Sequence, residues 1–165
     1  MNRTLSRIMA VAIAAIPVAA QADWLAVHWG MQPAAVVAAG GGDIQAVEEV
    51  KDKRVLDKFR LATSQAKIDG VGYTLDYFFE PNSRQLVLIN FSPEKADCDL
   101  AIASHTKRFG DGSAKVDVKI LKPGKPPLIL TKFSWRDAVT GDSIAGSDIA
   151  VKEYDIRYCQ FLRSH

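Results

Sequence analysis

Apolar and polar residues alternate along the chain with two different periods, and these periods predict where helices and strands lie. Asp23–Trp29 alternates at every second residue, as a short strand does. The next apolar run begins at Pro33, which suits the first position of a helix, and stops at Gly40, which suits the position past its end. Asp43–Phe59 has apolar residues at helical spacing beside a charged face, so it predicts a second helix.

From Leu61 onward the period changes to two. Three strand-like runs follow one another, and they read LATSQAKI, VGYTLDYFFE and RQLVLINF. Asp69-Gly70 separates the first two runs, and an Asp-Gly pair in that place is typical of a β-hairpin. These residues predict a three-stranded antiparallel meander.

A third helix is predicted to begin at Ser92-Pro93, where Ser92 can cap the first turn and Pro93 takes its first position, and to end at Gly110. Four strand-like runs complete the chain: AKVDVKIL, LILTKFSWRD, SIAGSDIAV and EYDIRYCQFL. Helices that alternate with runs of strands favour an α+β fold. We expect a single α+β domain over residues 23–165, made of two helix-plus-antiparallel-meander units whose helices pack on one sheet.

The first 22 residues have a different composition from the rest. Segment 1–22 begins with the basic stretch MNRTLSR, continues with the apolar stretch IMAVAIAAIPVAA and ends in Ala20-Gln21-Ala22, with small residues where a signal peptidase cuts. Its apolar run is shorter than the ~20 residues that span a bilayer. We therefore expect a signal peptide over residues 1–22 and a soluble product in the periplasm or outside the cell. No cysteine lies at the cleavage region, so no membrane anchor is expected.

The predicted cleavage also changes the net charge. The whole chain has 21 Lys+Arg and 19 Asp+Glu, and segment 1–22 holds Arg3 and Arg7 but no acid. The product is therefore formally neutral. A nucleic-acid partner is not expected, because neutralising phosphates requires a surplus of Lys and Arg.

Cys98 and Cys159 are the only two cysteines. An even number of cysteines in an exported chain predicts a disulfide. In the chain-entropy model, a disulfide that closes this loop stabilises the folded state by roughly 4 kcal/mol. A free catalytic thiol is the alternative interpretation. A metal site at Cys159 is disfavoured because no histidine flanks it.

The stretch WGMQPAAVVAAGG resembles the entry helix of small exported bacterial α+β proteins. The matching residues are Gly30, Met31, Pro33, Val36 and Gly40, with Pro93 and Gly110 as counterparts in the second unit. This class includes proteins like the secreted β-lactamase inhibitor protein and the small outer-membrane assembly lipoproteins. The resemblance implies helix-plus-meander units and a role in binding other proteins. Unlike the lipoproteins, this chain has no cysteine to carry a lipid at its predicted mature terminus.

Two stretches suggest ligand chemistry without completing a motif. His28 and Met31 are ligand types for copper(I), but Met31 is the only methionine outside segment 1–22, which leaves such a site incomplete. The run Gly40–Gly42 follows a helix, whereas a phosphate-binding loop precedes one, and no Gly-Lys-Ser/Thr follows. No resident metal and no cofactor are predicted.

Hydrolase residue types also occur, but in unsuitable places. Asp99, Ser104 and His105 share one predicted helix, where Asp99 and His105 are separated by a rise of ~9 Å, so they cannot form a hydrogen-bonded relay. The chain also has several carboxylate pairs, and a glycosidase site could be assembled from distant carboxylates. These pairs include Asp97/Asp99, Asp137/Asp142 and Glu153/Asp155. No local pattern chooses among these pairs.

Trp135, Arg136 and Asp137 lie at a predicted hairpin end. Exposed Trp and Arg side chains often carry the binding energy of protein interfaces, so these three residues are the candidate partner-binding site. The first hypothesis is therefore a non-catalytic, exported module that presents its antiparallel sheet, or the loops around Trp135, to a protein or envelope partner. The alternatives are an envelope hydrolase using scattered carboxylates and a periplasmic metal-binding protein using His28 and Met31.

Overall fold

The computed structural model describes residues 26–49, 54–94, 97–120 and 123–165. The predicted signal peptide lies outside these residues. None of the helices in the described ranges is long and apolar enough to cross a membrane.

The described chain forms two α-helices, nine β-strands and one short 3-10 helix. The helices are α1 (Pro33–Ala39) and α2 (Cys98–Phe109), and the 3-10 helix is Lys152–Tyr154. The strands are β1 (Gln45–Ala46), β2 (Arg54–Val55), β3 (Lys58–Ile68), β4 (Val71–Phe79), β5 (Leu86–Pro93), β6 (Ser113–Lys119), β7 (Leu128–Arg136), β8 (Ser143–Val151) and β9 (Ile156–Ser164).

All of these strands belong to one antiparallel open sheet. Its strand order is β1-β3-β4-β5-β9-β8-β7-β6, and β2 pairs with β3 beside this path. The strands β3, β4 and β5 are a meander, and β6 to β9 are another, joined where Phe91 of β5 pairs with Phe161 of β9. The predicted α+β class with an antiparallel sheet is confirmed.

The core is densest on one face of β4, where every second side chain is buried. Tyr73, Leu75 and Tyr77 are each at most 3% exposed. The period of two that predicted a strand is thus the period with which side chains enter the core. On β5, Phe91 lies on the same face and meets Tyr73 edge to face, with ring centroids 6.0 Å apart.

Helix α2 covers the same face of the sheet. His105 of α2 stacks on Phe161 of β9 with ring centroids 4.2 Å apart, and Trp135 of β7 lies 5.5 Å from His105. The predicted disulfide is confirmed: Cys98 at the start of α2 is bonded to Cys159 of β9, with Cα atoms 6.0 Å apart. The bond therefore ties the helix to the strand beneath it.

The predicted helix over Asp43–Phe59 is wrong for the residues that the structure describes. β1 and β2 lie there instead, and both pair antiparallel with β3. Leu56 and Asp57 form a tight turn with φ of 49° and 60°, a left-handed conformation that an α-helix does not contain. Pairing with β3 outweighs the local helical pattern.

Two further boundaries differ from the sequence predictions. Ser92 and Pro93 do not open a helix: both end β5, and α2 starts at Cys98. The predicted strand Asp23–Trp29 is not found over its described part, where residues 26–28 are irregular and Trp29-Gly30 is a turn. Helix α1 over Pro33–Ala39 and the hairpin at Asp69-Gly70 are confirmed.

Candidate functional site

A polar cluster is centred on the buried carboxylate of Asp142, at the end of the β7–β8 turn. The turn forms because the Asp137 side chain accepts hydrogen bonds from the backbone N–H groups of Val139 and Thr140, at 2.9 and 3.3 Å. Gly141 then adopts φ of 80°, which favours glycine. This turn directs Asp142 inward, where it is fully buried.

Asp142 contacts two distant parts of the chain, the segment before α1 and the C-terminal end of β9. Its Oδ1 accepts a hydrogen bond from the Trp29 indole at 3.1 Å and lies 2.8 Å from Nδ1 of His165. Its Oδ2 accepts a hydrogen bond from Nε of Arg163 at 2.8 Å. Arg163 also reaches Asp137 at 3.5 Å. Both oxygens of the buried carboxylate are therefore satisfied, as a buried charge requires.

Burial raises the pKa of Asp142, but its neighbours outweigh that effect. The hydrogen bonds from His165 and Trp29, together with the positive charge of Arg163, hold the pKa below the ordinary value of 3.8. Asp142 is thus a fixed negative charge at neutral pH. Its position between β8, β9 and the segment before α1 indicates a role in holding these elements together.

A pocket of about 270 Å³ opens beside Asp142. Val27, Leu86 and Ile89 form its apolar side, and His28, Thr140 and His165 its polar side. A histidine whose Nδ1 contacts a buried carboxylate has the arrangement of a general base, because the carboxylate orients the ring. The Arg163 cation is already neutralised by Asp142 and Asp137.

The structure corrects one part of the predicted partner-binding site. Trp135 is only 5% exposed, whereas the sequence interpretation required an exposed indole. Its ring stacks on Phe133 at 5.3 Å, and a Cβ at Gly146 would lie 2.9 Å from the indole, so Gly146 gives the ring its space. Trp135 faces α2 because of the strand register, and it is part of the core.

The other two predicted residues lie at the surface or in the turn. Arg136 is exposed, while Asp137 is half-buried and holds the β7–β8 turn. The structure does not bring Arg136 together with the indole of Trp135 on an exposed face. Whether Arg136 and Asp137 contact a partner stays a prediction.

The two ligands suggested for copper lie close in sequence but are used differently. The Met31 sulfur accepts a hydrogen bond from the backbone N–H of His28, at 3.4 Å. Among the described residues, no group of three or more His, Cys, Asp or Glu side chains could hold a metal ion.

The glycines of 40–42 form the turn after α1, and a Cβ at Gly40 would clash with Ile44 at 2.3 Å.

The residue types of a hydrolase relay on α2 are separated, as the sequence predicted. Asp99 forms a two-pronged ion pair with Arg157, with distances of 2.8 and 2.6 Å. The Ser104 hydroxyl donates to Asp69 at 3.0 Å. His105 is buried, and its Nδ1 lies 2.9 Å from the carbonyl oxygen of Ala101.

A second candidate site is apolar and lies on the other side of the sheet from α2. Side chains alternate between the two faces along a strand. In β7, β8 and β9, the residues that alternate with the core residues therefore point away from α2. Leu130 pairs with Ile149 and Ile149 with Tyr158, while Val151 pairs with Ile156. We call these neighbours the open face, and its members are Leu128, Leu130, Ile149, Val151, Ile156 and Tyr158.

The open face is partly solvent-exposed. Ile156 and Tyr158 are 54% and 45% exposed, and the other four side chains are half-buried. The Tyr158 hydroxyl donates a hydrogen bond to Gln160 at 3.0 Å. Lys119 lies at one border of the patch, where it pairs with Leu128. An apolar centre with a polar border is the composition of a protein interface.

Comparison of the chain with protein-family models, with curated proteins and with solved structures finds no match to any of them.

Sequence reasoning missed both sites as assemblies. In the sequence, Asp142 is one of several carboxylates, because its contact with Trp29 spans 113 residues and leaves no local pattern. The open face has a sequence signal: β7 begins LILT and β8 ends DIAV, so both strands carry apolar residues on successive positions. A strand that faces solvent on one side usually alternates instead.

Proposed function

We propose that this chain is an exported, non-catalytic binding module of the bacterial envelope, which holds a protein partner on its open face. The observation that carries the proposal is the contiguous apolar patch of six side chains, with Ile156 and Tyr158 more than two-fifths exposed. Contiguous exposed apolar patches on soluble proteins often mark interaction sites. Tyr158 adds a residue type that is enriched in the energetic centres of interfaces.

The carboxylates in and beside the sheet support binding rather than hydrolysis. Glycosidase chemistry requires one carboxyl group kept protonated and a second one free to act. In the described sheet, Asp76 is bound to Arg60 at 3.0 Å, Asp148 to Arg157 at 2.8 Å and Asp142 to Arg163 at 2.7 Å. Each of these three acids is held in an ion pair with an arginine, so none of the three carboxylates is free to act on a substrate. Arg157 and Arg163 each hold a second aspartate as well.

The proposal extends to export and to the internal organisation of the domain. The signal-like segment 1–22 and the Cys98–Cys159 disulfide support a periplasmic or secreted location, since disulfides persist in oxidising compartments. We interpret residues 23–165 as one domain of two units, α1 with the β3–β5 meander and α2 with the β6–β9 meander. The resemblance to exported bacterial proteins of that construction agrees with a partner-binding role.

The experiment compares substitutions on and off the open face in the cells that produce the protein. Tyr158→Lys and Ile156→Lys place a charge in the patch, and Leu100→Lys is the matched control, because Leu100 is 59% exposed on α2. Chemical crosslinking of envelope fractions should give a discrete adduct with wild type and with the control, and not with the two patch variants. Equal adducts in all four proteins would contradict the proposal.

The contact between Asp142 and His165 favours a second candidate, a hydrolase that activates water on His165. Nδ1 of His165 lies 2.8 Å from the buried carboxylate, and the ring borders the pocket. This candidate ranks second because Arg163, the cation that would stabilise a developing oxyanion, is neutralised by two aspartates.

The hydrolase candidate is tested by His165→Gln, which keeps a polar side chain and removes the base. His165 has a 68% exposed side chain, so the substitution should leave the fold intact. Wild-type hydrolysis of activated esters or of glycosides that disappears in His165→Gln would establish the second candidate. A rate that is the same in both proteins would exclude His165 as the base.

A further inference from the structure

Strand β6 is an edge strand that is open to pairing. Within the described part of the chain it pairs with β7 alone, and the register from Ser113 to Lys119 is continuous. Natural edge strands are protected against pairing by prolines, bulges, short length or charged side chains, lysine above all. β6 spans seven residues and contains neither a proline nor a bulge, and its charges are of both signs, with Asp117 between Lys115 and Lys119.

The two faces of β6 have different chemistry. Val116 and Val118 point to the face that carries α2 and are 61% and 64% exposed. Lys115, Asp117 and Lys119 alternate with them on the opposite face. The ion pairs that Asp117 makes within the chain, with Lys115 and Lys132, are both long at 3.7 Å and contribute little.

We propose that two copies of this chain form a homodimer in which their β6 strands pair antiparallel about a two-fold axis at Val116. An antiparallel pair related by a two-fold axis normal to the sheet must place one residue opposite its own copy. Val116 is the central residue of Ser113–Lys119, so only an axis at Val116 pairs the full strand.

Charge complementarity agrees with this register. With Val116 on the axis, Lys115 of each copy lies opposite Asp117 of the other, which creates two cross-strand ion pairs. On the other face, Val116 meets its own copy and Val118 meets Ala114. The dimer thus has an apolar row on the α2 face and a charge-matched row on the open-face side.

Shifted registers are penalised by the same side chains. An axis at Asp117 would place Asp117 opposite Asp117 and Lys115 opposite Lys119. An axis at Lys115 would place Lys115 opposite its own copy. Like charges directly opposite each other destabilise a strand pair, so the lysines disfavour these neighbouring alignments without blocking the one at Val116.

This contact goes beyond the proposed function because it uses the strand edge, whereas the open face remains free. Pairing at β6 would continue the sheet from one copy into the other and set two open faces side by side on one surface. A partner with two contact regions would then bind with both. The contact is small, so we expect a reversible dimer that forms at high protein concentration.

A charge-swap series measured by sedimentation equilibrium tests the proposal on the oxidised protein. Lys115→Glu and Asp117→Lys each place like charges opposite each other twice, and each should raise the dimer dissociation constant by about 10-fold. The double variant Lys115→Glu/Asp117→Lys restores opposite charges and should return the constant to the wild-type range. Lys67→Glu makes the same charge change at an exposed position of β3, near the opposite end of the sheet, so it is the matched control and should dimerise like wild type.

Two results would overturn the proposal. One is a wild-type protein that stays monomeric up to about 1 mM, the upper end of weak specific association. The other is a double variant that dimerises as poorly as the single variants, because the Val116 register requires rescue. Tyr158→Lys distinguishes this inference from the proposed function: it should abolish partner crosslinking and leave the dimer constant unchanged.

Discussion

The strands β4 and β6 belong to the same antiparallel sheet but use their apolar residues in opposite ways. In β4, Val71, Tyr73 and Leu75 are at most 3% exposed. In β6, Val116 and Val118 occupy the same face of the sheet but are more than 60% exposed. The difference arises because the elements around β4 supply buried partners, whereas β6 extends past the region that α2 covers.

Alternation of apolar and polar residues along a strand therefore does not decide which apolar side chains are buried in this molecule. Both strands alternate correctly, yet one builds the core and the other presents a surface. The same contrast recurs within β9, where Phe161 is fully buried and Tyr158 is 45% exposed. The core and the candidate interface therefore lie on opposite faces of the same strand. Substitutions on one face or the other can separate effects on stability from effects on binding.

The largest effect is expected from truncation on the core side of β9. Phe161→Ala removes a ring that stacks on His105 at 4.2 Å and should lower the free energy of unfolding by roughly 3–5 kcal/mol. Tyr158→Ala, three residues earlier on the outer side, should change it by less than about 1 kcal/mol. Urea denaturation followed by far-ultraviolet circular dichroism measures both. Similar losses would contradict the assignment of the two faces.

The next largest loss of stability is expected from removing the disulfide. Replacing Cys98 and Cys159 with Ser together should lower the free energy of unfolding by roughly 2–4 kcal/mol, because the bond closes a loop with a sequence separation of 61. Reduction of the wild-type protein should produce the same loss in the same assay. An unchanged midpoint in both cases would mean that the bond does not stabilise the packing of α2 on the sheet.

A smaller loss of stability, which depends on pH, is expected from a substitution in the Asp142 cluster. Asp142→Asn keeps the side-chain shape but removes the charge that Arg163 and His165 face, and should cost roughly 2–3 kcal/mol at pH 7. The folded-state pKa of Asp142 is held below 3.8, so its contribution is present above that pH and disappears as the pH falls through the folded value. Acid denaturation curves should therefore converge for wild type and variant at low pH. Curves that stay equally separated at pH 7 and in acid would contradict this assignment.

The smallest effect is expected from His105, through a weak pH dependence above the acid region. Burial lowers the pKa of His105 below 6.5, with a smaller contribution from the charge of Arg108. Between the two values the unfolded chain binds a proton that the folded chain does not, so stability falls as the pH drops below about 6.5, by at most about 1.4 kcal/mol per pH unit. His105→Phe keeps an aromatic ring and should remove this slope. A slope that persists in the variant would assign it to another group.

Elements defined by local chemistry could be predicted from the sequence. Pro33 and Gly40 mark α1, Asp69-Gly70 marks a hairpin, and the two cysteines form the disulfide, because each depends on neighbouring residues or on a count. The predicted helix over Asp43–Phe59 failed because β1 and β2 are defined by pairing with β3, and short edge strands leave little periodic pattern.

The sites were harder to predict than the fold. Trp135 looks like a hairpin-end hot spot in the sequence, and only the packing of α2 on β7 makes it a core residue. Asp142 requires three contacts that lie between 21 and 113 residues away in sequence. The open face depends on the register of three strands, which no single segment encodes.

Site-specific photo-crosslinking in living cells tests the central claim, that the outer side of the β6–β9 region is the partner-binding surface. A photoreactive phenylalanine analogue at Tyr158 lies in the open face, and the same analogue at Thr74 lies on the same side of the sheet, in β4. We predict a discrete protein adduct from position 158 and none from position 74. Adducts from position 74 alone, or none from position 158 while the protein is folded and exported, would contradict the assignment of the open face as the partner-binding surface.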